Sequence, residues 1–159
     1  MAVTEAHLRA LGRVTVNFST LEFTLVALVA GLSAPDNLGV GQILGPQLSF
    51  ARLVTAVDAL FRLRRPGSPD IGRLAALLAR ASAAEERRNV VVHSAYLVAD
   101  GTPADIVTRF KLRAKRDKGL SHDAQDTTPA DIEQVASELH TVSTDLARFI
   151  GETGLLPTM

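Results

Sequence analysis

The segment 88–93 places an arginine, an amide and an imidazole within about two helical turns. Asn89 follows Arg88 directly, and His93 closes the segment. A guanidinium stays charged and can engage two phosphate oxygens at once. An imidazole can take up or release a proton near neutral pH. Side chains of these types could bind a phosphodiester and move the protons that its cleavage requires.

The segment ends a helical pattern whose apolar positions recur at steps of three and four residues: Ile71, Leu74, Leu78 and Ala81. The same rhythm then reaches Glu85 and Arg88 before it returns to Val92. Charges on an apolar stripe are costly unless they are paired or face a cleft or a partner. The pattern therefore indicates a site. The alternative is an ion pair between Glu85 and Arg88 on a partly exposed edge, worth a few tenths of a kcal/mol.

The segment 88–93 resembles the Arg-x(4-6)-His motif of HEPN ribonucleases, in which a polar residue directly follows the arginine. A second stretch, 116–122, has the same spacing, but its polar, glycine-containing sequence predicts a loop. The resemblance implies a compact helical nuclease that cuts single-stranded RNA at a homodimer interface and needs no metal ion or cofactor. It implies catalytic roles for Arg88 on the phosphate, His93 in proton transfer and Asn89 as an orienting group.

Helical geometry places the supporting residue Glu85 on one stripe with Asn89 and His93. Arg88 points about 140° away from His93 if the helix stays regular. The two side chains converge only if the turn at 90–92 unwinds, or if two subunits face each other. On the first helix, Asn17 and Glu22 flank the apolar stripe and are predicted supporting residues.

Composition predicts a soluble, cytoplasmic single domain with a substantial core. The net charge is +0 and there are no cysteines, which argues against a dedicated duplex-DNA binder and against disulfides. No metal-ligand spacing or phosphate-binding loop appears. The apolar run 23–32 is too short to span a bilayer, so no membrane partner is expected.

Capping residues and periodicity predict a mainly α fold of four or more helices, arranged as a HEPN-like bundle. The long helices are expected at 4–31 with Thr4 as N-cap, at 46–63, from Ser68 to His93, and from Thr128 to about 151. A short helical turn is expected around 40–44. One domain then covers 1–153, and 154–159 form a flexible tail.

Alternation of apolar and polar residues predicts a small β-hairpin insertion at about 95–114, with its turn at 100–101. Arg109, Lys111 and Arg113 fall on one face of its second strand. We interpret that face as an RNA-binding patch beside the arginine–histidine segment. A solvated face whose charges protect a sheet edge is the alternative. Residues 118–127 are expected to form an exposed loop.

Two classes of function follow. The first is a HEPN-type endoribonuclease, for which the resemblance implies a role as a toxin, a phage-defence effector or an RNA-processing factor, with an antitoxin or an effector-complex protein as partner. The second is a catalytically inactive helical dimer that acts as a binding or adaptor module or as an RNA-binding regulator. A solvent-accessible His93 close to an Arg88 guanidinium would favour the ribonuclease. A buried His93 bonded to a backbone carbonyl would favour the inactive dimer.

Overall fold

The computed structural model describes residues 3–34, 36–98, 103, 105–115 and 119–155. The elements follow in the order α1 (Glu5–Ser33), α2 (Leu38–Leu44), a 3₁₀ turn (Gly45–Gln47), α3 (Phe50–Arg64), α4 (Ile71–Val92), β1 (Ala95–Leu97), β2 (Val107–Lys115), β3 (Gly119–Thr127) and α5 (Pro129–Thr153). The prediction of a mainly helical fold with a small β element between the third long helix and the last is confirmed.

Helix α1 forms the centre of the bundle and packs against α5, α3 and α2. It begins where predicted, because the Thr4 hydroxyl accepts a hydrogen bond from the backbone N–H of His7. The steps of three and four residues along this helix predict one apolar stripe. The stripe is buried at all of its positions except the half-buried Leu11, and it consists of Leu11, Val14, Phe18, Leu21, Leu25, Leu28 and Leu32. By length and composition α1 could also cross a membrane, with 44% of its most apolar window buried in the bundle. The apolar part of α1 is therefore longer than the run 23–32 that the sequence analysis considered.

The second long helix begins later than predicted, at Phe50. Residues 45–47 form the 3₁₀ turn instead, and Ser49 is extended as the N-cap of α3. The helical turn predicted around 40–44 is α2. Gly41 lets α2 lie against α1, since a Cβ at this position would come within 2.2 Å of the Ala30 Cα.

Helix α5 starts where the sequence predicted, but α4 does not. Helix α4 begins at Ile71 with Asp70 as N-cap, later than predicted, because Ser68 accepts from the Asp70 N–H in a turn before the helix. Helix α5 begins at the predicted Thr128 N-cap with a complete capping box to Asp131. The Thr128 backbone N–H and hydroxyl hold the pKa of Asp131 below its usual value.

The end of α5 corrects the predicted tail. Helix α5 reaches Thr153, and Gly154 takes the left-handed conformation (φ 60°) that ends it. Leu155 is buried and donates its N–H to the Ile150 carbonyl. Gly154 and Leu155 therefore belong to the folded domain, and 156–159 lie outside the described residues.

The β element is an antiparallel sheet with strand order β1-β2-β3. Arg109 of β2 stands opposite Tyr96 of β1 and Gln125 of β3. The prediction of a loop at 118–127 is wrong from residue 119 onward, because β3 covers 119–127, and residue 118 lies outside the described residues. Residues 121–126 of β3 are all exposed and, apart from Ala124, polar, so backbone pairing to β2 defines the strand without an alternating pattern. The predicted turn at 100–101 lies outside the described residues.

Candidate functional site

The end of α4 brings Arg88 and His93 of the same chain together. The helix stops at Val92, and His93 leaves the helical conformation with φ −101° and ψ 28°. The Nη1 atom of Arg88 lies 3.3 Å from Nε2 of His93. Residues 90–92 stay helical, so the prediction that this turn must unwind is wrong. The departure of His93 alone from the helix suffices, and no second subunit is needed to bring these two groups together.

Arg88 is held from two sides. Its Cζ atom lies 4.3 Å from the centroid of the Phe18 ring of α1, within the range of a cation–π contact. Its Nη1 donates to Asn89 Oδ1 at 2.9 Å, and Asn89 in turn donates to the Glu85 carboxylate. Among the described residues no ion pair joins Glu85 to Arg88, so the alternative of a direct pair is wrong.

The remaining nitrogens of the Arg88 guanidinium differ in exposure. Nε is buried and has no hydrogen-bond partner in the described part of the protein. Nη2 also has no partner there, but it is not buried. Nη2 therefore keeps an N–H pair without a partner in the described part of the protein, on the same guanidinium that contacts the exposed His93.

Lys111 of β2 reaches the same place. Its Nζ donates to the Asn89 carbonyl at 2.8 Å, and the backbone N–H of His93 donates to that carbonyl as well. The Tyr96 hydroxyl donates to the Val91 carbonyl at 2.8 Å. The sheet thus binds two carbonyls of the last helical turn, one already bonded to the His93 N–H, and it fixes the backbone that carries His93.

Tyr96 is itself partly enclosed by this contact between sheet and helix. Burial raises the pKa of its hydroxyl, and the nearby Arg109 guanidinium opposes that rise in part. The hydroxyl therefore keeps its proton, and its hydrogen bond to α4, throughout the neutral range.

The prediction of an exposed basic face on β2 is wrong at Arg109, which is 4% exposed. Its Nη2 donates to Gln125 at 2.8 Å and to Asp123 at 3.3 Å. The alternation itself is as predicted, but the face that carries Val107 and Arg109 turns towards the helices, whereas Leu112 on the opposite face is 68% exposed. The Arg113 side chain lies outside the described part of the protein.

The two supporting residues predicted on α1 lie elsewhere. Asn17 donates to the Ala136 carbonyl at 2.9 Å and so joins α1 to α5. Glu22 lines a groove between α1 and the segment that runs from α2 to α3. The hydrogen bonds that the structure describes connect neither residue to Arg88 or His93.

Phe18 is the site residue that the sequence analysis missed. Its place in the stripe of α1 predicted only a core position. The seam pattern did indicate that Arg88 faces inward, but the ring that it meets depends on how α1 and α4 pack.

Within the described residues no group of three His, Cys, Asp or Glu side chains could hold a metal ion.

Comparison with family models, with curated proteins and with solved structures finds no match for this chain. The likeness to HEPN ribonucleases therefore stays a prediction that rests on the segment 88–93.

Proposed function

We propose that this protein is a metal-independent endoribonuclease of the HEPN type, which cleaves single-stranded RNA by attack of a 2'-hydroxyl on the adjacent phosphodiester. The observation that carries the proposal is the 3.3 Å approach of Arg88 Nη1 to His93 Nε2 at an exposed helix end. A permanent cation with an unused N–H pair beside a proton-transfer group is the arrangement that this reaction needs.

In the proposed reaction the bond from the 2'-oxygen to phosphorus forms while the bond from phosphorus to the 5'-oxygen breaks. The attacking hydroxyl loses a proton and the departing oxygen gains one, so the products are a 2',3'-cyclic phosphate and a 5'-hydroxyl. Arg88 would stabilise the charge that builds on the non-bridging oxygens. A guanidinium only donates, so Nε2 of His93 is the acceptor in their contact and is the nitrogen that would take the proton.

A homodimer would complete the site. One imidazole serves one proton transfer at a time, whereas two copies related by a two-fold axis place two imidazoles and two guanidiniums around one phosphate. Sedimentation equilibrium tests this part of the proposal. A protein that is monomeric at concentrations giving full cleavage would contradict it.

Alanine substitutions test the assignment directly. We expect Arg88→Ala and His93→Ala to lower the cleavage rate of a single-stranded RNA, measured in the presence of a chelator, by about 100-fold or more. His93 is exposed, so its loss should change the free energy of unfolding by less than about 0.5 kcal/mol. His140→Ala removes another exposed histidine, on α5, and should leave the rate unchanged. Full activity in either site variant would refute the assignment.

A further inference from the structure

A groove of about 480 Å³ runs along α1. Its walls are mostly apolar and include Phe23 and Leu53. Three polar side chains, those of Ser19, Glu22 and Gln42, also line it. Phe23 is 72% exposed, so its ring offers a flat apolar surface at the groove.

The Phe18 ring joins α1 to the candidate site. This ring contacts the Arg88 guanidinium on α4, and its centroid lies 5.3 Å from that of Phe50 on α3. Glu22 follows Phe18 by four positions on α1, a rise of about 6 Å along the helix axis. Glu22 at the groove therefore lies about one turn of α1 beyond the residue whose ring contacts the guanidinium.

The polar groups of the groove have no partners within the described chain: Ser19, Glu22 and Gln42 make no side-chain hydrogen bond or ion pair there. Glu22 is half-buried. A purely apolar occupant would cover this carboxylate without pairing it, which is costly. The groove therefore suits a flat apolar group that carries N–H donors at its edge.

We propose that the groove binds the base beside the scissile phosphate and that Glu22 selects guanine, an inference that rests on the proposed ribonuclease function. Guanine presents two adjacent donors, N1–H and N2–H, that match the two oxygens of a carboxylate. The Watson–Crick edges of adenine, cytosine and uracil lack this adjacent pair of donors. Phe23 stacks on the base, as aromatic side chains do in single-stranded RNA recognition.

Binding of short RNAs to the His93→Ala variant tests the proposal without cleavage. The probes are fluorescein-labelled pentauridines in which the central base is guanine, hypoxanthine or adenine, and fluorescence anisotropy gives each Kd. We expect the guanine probe to bind about tenfold more tightly than the hypoxanthine probe, which lacks the N2 amino group, since one hydrogen bond to a charged group has this effect. Glu22→Gln should abolish the difference.

Glu5→Gln is the matched control, because it removes a carboxylate from the far end of α1. The Glu5 carboxylate and its ion-pair partner Arg9 are both exposed. This variant should keep the guanine preference. Phe23→Ala should weaken all three probes if the base stacks on that ring. Equal Kd values for guanine and hypoxanthine, or a preference that survives Glu22→Gln, would overturn the proposal.

Cleavage by the unsubstituted protein separates this proposal from the ribonuclease function. RNA cut without base preference, together with equal Kd values, would overturn the groove proposal and leave the nuclease intact. A guanine preference in binding, without any cleavage by the unsubstituted protein, would support the groove and overturn the nuclease.

Discussion

Arg88 shows how one residue can occupy an apolar seam and still remain available for chemistry. The Phe18 ring covers one side of its guanidinium, and Asn89 binds Nη1. A cation–π contact of this kind contributes about 0.5–2 kcal/mol. The sequence predicted that a charge lies on the stripe. It could not predict the ring, because that contact joins α1 to α4 across the bundle.

Phe18→Leu tests whether the ring positions Arg88. The substitution keeps an apolar side chain in the core but removes a ring that packs on Phe50 and on the guanidinium, so it should cost about 1–3 kcal/mol of unfolding free energy. Because the guanidinium loses its support, we expect the RNA cleavage rate to fall by about tenfold, which corresponds to the strength of such a contact. Single-turnover kinetics measures the rate.

Phe50→Leu is the matched control, since Phe50 contacts the Phe18 ring from the α3 side. It should destabilise the fold to a similar degree while cleavage falls less. Equal loss of cleavage in the two variants would show that the ring acts through stability alone.

At the scale of elements, the sheet holds the end of α4. Lys111 and Tyr96 bind carbonyls of its last turn, and this turn carries His93. The alternation of β2 could be predicted from the sequence, but which face turns towards the helices could not. The inward face carries Arg109, and arginine is a residue type that is usually exposed. The strand β3 could not be read at all, since its exposed polar residues carry no periodic signal.

Reversal of the Arg109 charge tests this arrangement. Arg109→Glu would place a carboxylate in a buried position beside Asp123, so we expect a loss of about 3 kcal/mol or more in the unfolding free energy. Urea denaturation measures it. Arg52→Glu makes the same change of charge at an exposed position of α3 and should shift stability by less than about 0.5 kcal/mol. Equal effects would contradict the buried role of Arg109.

The capping box of α5 gives a prediction about pH. The pKa of Asp131 is lowered in the folded protein from its usual value of 3.8, so the unfolded chain binds its proton more readily. The stability from this carboxylate is therefore fully present above about pH 4 and is lost as the pH falls through the folded-state pKa.

Asp131→Ala should lower the unfolding free energy by roughly 0.5–2 kcal/mol at pH 6, as the loss of a capping interaction does. The difference from the unsubstituted protein should shrink as the pH falls below 4, measured by urea denaturation at several pH values. A difference that stays constant down to pH 2 would contradict an ionised cap.

At the scale of the whole molecule, the bundle positions the site and the sequence predicted most of that bundle. The stripes of α1 and α5 were recognisable because each buries one face at helical spacing. The starts of α3 and α4 were misplaced because a 3₁₀ turn at 45–47 precedes α3 and a turn at Ser68 precedes α4. The contact between Arg88 and His93 within one chain was expected only if residues 90–92 unwound. These residues stay helical, and the conformation of His93 alone brings the two groups together.

Product analysis tests the central claim most directly. A defined single-stranded RNA is incubated with the purified protein in excess chelator, and mass spectrometry identifies the new ends. We expect a 2',3'-cyclic phosphate and a 5'-hydroxyl from the unsubstituted protein and no such ends from His93→Ala. No cleavage by the unsubstituted protein, or the same products from both proteins, would contradict the assignment of Arg88 and His93 as an RNA-cleaving pair.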